Sequence, residues 1–218
     1  MRIAIVGAGN VGRAIARELL DNGHQVLLIE KDPKALKIES VPEAEWLMAD
    51  ACEITSLDAA HLDNCQVLVA ATGDDKANLV TSLLGKTEYG VPRVVARINH
   101  PKNEWLFDSS WGVDVAVSTP RIISALVEEA VTVGDVVRLF SFRKGQANLV
   151  ELTLPDGSAC IGKTVDEIDL PENATLAAIV RDGQVISAKP HDVFIAGDEL
   201  LFVASAEAEI HIKACFIS

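Results

Sequence analysis

The feature that most limits what this chain can fold into is Gly7-Ala8-Gly9-Asn10-Val11-Gly12, directly behind the short apolar run Ile3-Ala4-Ile5-Val6. A G-x-G-x-x-G sequence between a strand and a helix has three physical uses. Gly7 permits a tight turn, Gly9 lets a pyrophosphate approach the backbone, and Gly12 lets helix and strand pack closely. The helix is legible in Val11, Ile15, Leu19 and Leu20 at helical spacing, and Asn22-Gly23 closes it. Gln25 to Glu30 then reads as a buried parallel strand, so one βαβ unit is complete by Glu30. The start of the helix presents unpaired N–H groups to an anion. Glu30 lies about 20 residues past the loop, where a carboxylate accepts hydrogen bonds from both hydroxyls of a ribose. It would repel a 2′-phosphate, which favours NAD(H) or an adenosine nucleotide over NADP.

The same alternation continues. A short helix is expected from Pro33, a strand over Trp46 to Ala49, a helical turn from Thr55 to Leu62 and a strand over Gln66 to Ala71. Asp74 can cap a long helix running to about Tyr89, followed by a strand at Arg93 to Ile98. Glu104 to Ser109 reads as a short helix, Val113 to Val117 as a sixth strand, and Pro120 to Thr132 as a helix with proline in its first turn. Six strands with helices between them imply an α/β, Rossmann-like, doubly wound parallel sheet. After Gly134 strands are short and turns frequent, with Arg181-Asp182-Gly183-Gln184 as a hairpin signal. The expected division is residues 1–133 as a nucleotide-binding domain and 134–218 as a small α+β lobe ending in a helix from Ala206 to Lys213.

Composition narrows the function classes. With 19 Lys+Arg against 32 Asp+Glu the net charge is −13, a field that repels nucleic acid. The four cysteines Cys52, Cys65, Cys160 and Cys215 form no C-x-x-C pair and the histidines are scattered, so no metal site is expected and reduced thiols fit a cytosol. Ile3 to Val6 is too short for the core of a signal peptide, and no apolar run approaches the roughly 20 residues of a membrane helix.

Gly157 to Thr164 matches the Walker A pattern, but no substantial helix can follow it. Pro171 cuts the next segment, and the apparent Walker B residue Asp182 falls in the hairpin turn. No G-x-S-x-G or H-E-x-x-H occurs, and Tyr89 lacks a lysine four residues later, so no catalytic residues are assigned. An NAD-dependent oxidoreductase with a small substrate domain is the main alternative. A redox-sensing transcription factor is disfavoured by the acidic balance.

Further strand ends point at the same crevice. Asp50 follows the third strand and is placed to accept from an adenine amino group. Thr72-Gly73-Asp74-Asp75 follows the fourth, with Asp74 equally suited to capping the next helix. Asn78 suits either surface or site. Arg97, near the end of the fifth strand, has the reach for nucleotide phosphates or for a surface ion pair.

Gly7 to Gly12, Glu30, Asp50-Ala51, Ala71 to Asp75 with Asn78, and Val95-Ala96-Arg97-Ile98 together resemble the N-terminal lobe of an RCK (KTN) domain. Gly162-Lys163-Thr164, Asp169-Leu170-Pro171, Ala178 to Gly183 and Ala196 to Leu201 resemble its C-terminal lobe. The resemblance covers nearly the whole chain. It implies a cytoplasmic regulatory subunit, peripheral to the inner face of the cell membrane, that binds NAD(H), ATP or ADP. It further implies assembly as dimers within a ring that gates a separate potassium-translocating membrane subunit of the Trk/Ktr type. The site it implies comprises Gly7, Gly9, Asn10, Val11, Gly12, Glu30, Lys31, Asp50, Ala51, Thr72, Gly73, Asp74 and Arg97. Arg121 is added because Ser118-Thr119-Pro120-Arg121-Ile122 lacks the carboxylate that helps place a cation in some similar Ktr-type proteins, and an arginine there brings its own charge toward phosphate, the alternative being a solvent-facing ion pair on the first helical turn.

Overall fold

Strands β1 (Arg2–Val6) and β2 (Gln25–Glu30) are buried on both faces, which is why they read as unbroken apolar runs. Ile3, Ile5, Val26 and Leu28 enter one core with Ala16 of helix α1 (Asn10–Asp21), while Ala4, Val6, Leu27 and Ile29 enter another with Leu57, Leu62 and Leu68. The computed structural model describes residues 1–131, 133–142 and 147–217, with the backbone alone at 129 and 130. Its contacts divide the chain into two compact units, Met1–Pro120 and Arg121–Ser218.

In the first unit the chain continues through β3 (Glu45–Met48), α2 (Ile54–Ala59), β4 (Val67–Ala70), α3 (Asp75–Thr87), β5 (Arg93–Ile98) and β6 (Val115–Ser118). The six strands are all parallel and ordered β3-β2-β1-β4-β5-β6. β1 pairs with β2 on one side and β4 on the other, so the order reverses beside the glycine loop. Ligands of open α/β sheets bind at such a switch point, beyond the carboxyl ends of the strands.

Helix α4 (Thr119–Val131) follows, its last expected residue Thr132 lying outside the described residues. The second unit holds an antiparallel sheet of β7 (Val136–Ser141), β8 (Asn148–Thr153), β9 (Ala174–Arg181), β10 (Gln184–Ile186) and β11 (Glu199–Ala204), ordered β10-β9-β11-β8-β7. Asp182 and Gly183 both have positive φ, 50° and 72°, joining β9 to β10 in the two-residue hairpin that Asp-Gly signals. Helix α5 (Ala206–Phe216) closes the core, where the Phe216 ring lies 5.6 Å from Phe194 and 5.5 Å from Phe202.

Two expectations from the sequence are corrected. No helix starts at Pro33: Asp32 Oδ1 accepts from the Lys34 amide at 2.9 Å, a local side-chain turn that competes with helix, and only a 3-10 turn at Ile38–Ser40 follows. Glu104 to Ser109 is not one helix but two 3-10 turns. The first, Pro101–Leu106, starts at its proline, and the second, Ser109–Trp111, is capped by the Asp108 side chain.

The Walker-like segment also finds a structural role. Ser158 Oγ donates to the Phe216 carbonyl at 2.5 Å and the Gly162 amide donates to the Phe194 carbonyl at 2.9 Å, so the loop is tied to its own core. Beyond Thr164 runs only a three-residue 3-10 turn, Val165–Glu167.

Because Phe216 is fully buried between two other rings, Phe216→Ala should lower stability by about 3–5 kcal/mol in urea unfolding.

Candidate functional site

The glycine loop is built by backbone crowding. Gly7 has φ +96°, and a Cβ there would lie 2.9 Å from the Thr72 backbone; a Cβ on Gly12 would lie 1.9 Å from the Gly7 carbonyl oxygen. No larger residue fits either place. Gly9 differs: its φ of −67° suits any residue, and a Cβ there would meet nothing within 4 Å. The fold therefore does not require glycine at position 9, and the outer side of the loop there is open.

Glu30 is brought to this loop as its spacing implies. Its Oε2 accepts from the Ala8 amide at 2.8 Å, and its Oε1 accepts from the amides of Lys31 at 2.8 Å and Asp32 at 2.9 Å. Across the end of β3, Lys31 Nζ lies 3.3 Å from Asp50 Oδ2, and Asp50 Oδ1 accepts from the Cys52 amide at 3.0 Å. The Cys52 amide and the Lys31 ammonium hold the Asp50 carboxyl below its usual range against the opposing effect of burial. Burial pushes the neighbouring Cys52 thiol up, and Asp50 adds to it. Ala51 is buried in the core beneath.

On the other side of β1, the Thr72-Gly73-Asp74 loop is fixed from below. Asn78, fully buried, accepts from the Thr72 amide at 2.9 Å and from Thr72 Oγ1 at 2.6 Å. Its amide nitrogen donates to the carbonyls of Thr72 at 3.2 Å and Arg97 at 2.8 Å. Asp74 caps α3, its Oδ1 accepting from the Lys76 amide at 2.9 Å. A Cβ on Gly73 would meet nothing within 4 Å, so that position too lies open. The Arg97 Nε is buried with no hydrogen-bond partner among the described residues.

Three residues of this region were not assigned a role from the sequence. Asp75 is buried and accepts from the amides of Asn99 at 2.7 Å and His100 at 3.0 Å, and from the side chains of Asn99 at 3.0 Å and Asn103 at 2.8 Å. Asn99 also donates to the Thr72 carbonyl at 3.0 Å, which links the loops after β4 and β5. Arg13 folds back from α1 onto the Ala8 carbonyl. Its place directly after Gly12 was the one available signal. Arg121, by contrast, is exposed on α4 and falls in the second unit. No cluster of three or more His, Cys, Asp or Glu able to hold a metal occurs among the described residues.

Models of the TrkA-N domain and the TrkA-C domain match residues 3–119 and 149–215. The chain belongs to the TrkA family. It is 56% identical to the Trk system potassium uptake protein TrkA of Mycobacterium tuberculosis over 96% of this chain and 95% of that protein. It is 30% identical to TrkA of Halomonas elongata over 93% of this chain but only 45% of that longer protein. Among solved structures it superposes on the GsuK channel bound to NAD with a TM-score of 0.68 at 17% identity, covering 95% of this chain and 38% of that one. That likeness shows the fold of both lobes.

Burial alone would push the Asp75 carboxyl up, but hydrogen bonds from Asn99, Asn103 and His100 outweigh it and hold the group below its ordinary value of 3.8. A depressed carboxyl stabilises the fold above the unfolded-state pKa and loses that contribution as pH falls through the folded-state value. Asp75→Asn should therefore cost about 1–3 kcal/mol at pH 7, and the difference from wild type should persist to about pH 5 and shrink below about pH 4 in urea titrations.

Proposed function

We propose that the chain is the nucleotide-binding regulatory subunit of a potassium uptake system, working beside a separate membrane subunit that carries the ion. The observation that carries this reading is Gly9, a glycine with ordinary backbone angles and open space where its Cβ would be, at the start of α1. Phosphates approach there onto the first amides of the helix. Glu30, already turned toward the loop by the Ala8 amide, takes the ribose hydroxyls. Asp50, Thr72, Gly73 and Asp74 border the crevice, and Arg97 reaches toward the phosphates from β5. The ligands that fit are NAD(H), ATP and ADP, and the protein acts by binding them unequally in two arrangements of its assembly rather than by turning them over. TrkA relatives named as potassium uptake proteins supply the link to the ion.

Self-assembly belongs to the same reading. Helix α4 exposes Ile123 at 56%, Leu126 at 53%, Val127 at 56% and Val131 at 76%, spaced three and four residues apart as one stripe. An isolated chain gains by covering such a stripe. The Halomonas relative is long enough to hold a second unit of this size in one chain, as a dimer would here. No helix among the described residues is long and apolar enough to cross a membrane. The place proposed, from the likeness to TrkA potassium uptake proteins, is the cytoplasmic face, docked to the membrane subunit.

Calorimetric titration with NAD, NADH, ATP, ADP and NADP tests the nucleotide assignment. At least one of the first four should bind, NADP should bind at least about tenfold more weakly than NAD, and Gly9→Asp should abolish binding in a protein that remains folded. Unchanged affinity in folded Gly9→Asp removes the assignment.

Leu126→Glu should shift the oligomer toward monomer in light scattering at micromolar concentration, with the circular dichroism spectrum retained. A wild-type protein already monomeric there contradicts the assembly.

A further inference from the structure

Arg13 is 8% exposed, yet it carries a charge that no protein environment removes. Its Nη1 donates to the Ala8 carbonyl and its Nη2 to Asn10 Oδ1 at 2.8 Å, both neutral oxygens. No carboxylate lies within ion-pairing distance of it among the described residues, although the chain carries 32 acidic residues. The position is doubly unfavourable for a cation. Burial costs solvation that two neutral acceptors repay only in part, and the first turn of α1 is the positive end of the helix dipole. Ala8 and Asn10, the two residues that hold the guanidinium, are the immediate neighbours of Gly9, whose outer side is open. The Ala8 backbone stands between charges of opposite sign, its N–H donating to Glu30 and its carbonyl accepting from Arg13. The ribose carboxylate is thus present at one end of the loop, and a cation lacking its counter-ion at the other.

We propose that Arg13 is the phosphate-charge selector of the loop: its guanidinium answers the negative charge of a nucleotide phosphate beside Gly9, so that affinity depends on the phosphates and not on the adenosine alone. The inference rests on the reading of this loop as a nucleotide site. The guanidinium has five N–H donors, and these two bonds leave three to reach a phosphate oxygen or to strengthen the loop around it. Arg13 also holds the Ala8 carbonyl, so a purely structural staple must be separated from a charge effect.

Calorimetry on the full chain with adenosine, AMP, ADP, ATP and NAD, for wild type, Arg13→Lys and Arg13→Gln, makes that separation, with urea unfolding as the measure of folding. In wild type ADP should bind at least about tenfold more tightly than adenosine, and the preference should fall with added salt. Arg13→Gln should lose most of that preference while its adenosine affinity stays within about twofold, and Arg13→Lys, which keeps the charge, should retain most of it. Equal losses for adenosine and ADP in both variants make Arg13 a staple and overturn the proposal. An ADP preference that survives in folded Arg13→Gln overturns it equally, while leaving the nucleotide site standing. If Arg13→Gln does not fold, a wild-type ADP preference insensitive to salt, or an Arg13→Lys protein without the preference, overturns it. Wild-type protein that binds none of the five ligands overturns the site itself, and Arg13's role with it.

Discussion

The Gly12 contact with the Gly7 carbonyl governs the arrangement of the first unit. A Cβ at position 12 would sit 1.9 Å from that oxygen, so α1 descends onto β1 only as closely as a missing side chain allows. This approach directs the first amides of α1 past the end of the sheet, sets Gly9 on the outside of the turn, and brings the Ala8 peptide within reach of Glu30 on the adjacent strand. The Thr72 backbone closes against Gly7 from the other side. A parallel sheet reversing its order at β1 and β4 leaves a gap there, and backbone crowding determines which groups border it.

Much of this was legible in the sequence because strands buried on both faces are written as apolar runs. Ile3 to Val6 and the core of Gln25 to Glu30 carry their assignment in composition alone, and Asp182-Gly183 carries its turn in two residues. Periodicity misleads where short-range polar bonds compete with it. Pro33 opens a plausible helix until the Asp32 side chain takes the Lys34 amide, and the segment after β5 breaks into 3-10 turns around Pro101 and Asp108. Glu30 was placed by spacing. Asp75, Asn99 and Arg13 were not, because their roles depend on partners distant in the chain or on a side chain folding backward along its own helix.

The loops beyond β4 and β5 are joined by a polar cluster rather than by packing. Thr72 is held by Asn78 and Asn99, Asn99 and His100 by Asp75, and Asn103 by the same carboxylate. Asp75 and Asn78, the buried members, each take several of these bonds, so displacing a partner leaves a polar group unmatched away from water. A displacement of the Thr72 loop would therefore pull on the segment after β5 through Asn99. That segment carries Trp105, 76% exposed, well away from the core it would ordinarily join.

The Glu30 carboxylate bears on how firmly a ribose is held. Three amides already occupy it, from Ala8, Lys31 and Asp32, out of roughly four lone-pair directions. Its orientation is fixed before any ligand arrives, so little ordering remains to be done, yet little acceptor capacity remains for two hydroxyls. Under the proposed function, a ribose would meet a carboxylate that needs no reorientation but offers little spare acceptor capacity. Held so lightly, a nucleotide would occupy the loop in step with its concentration of the moment, the behaviour of a gauge and not of a store.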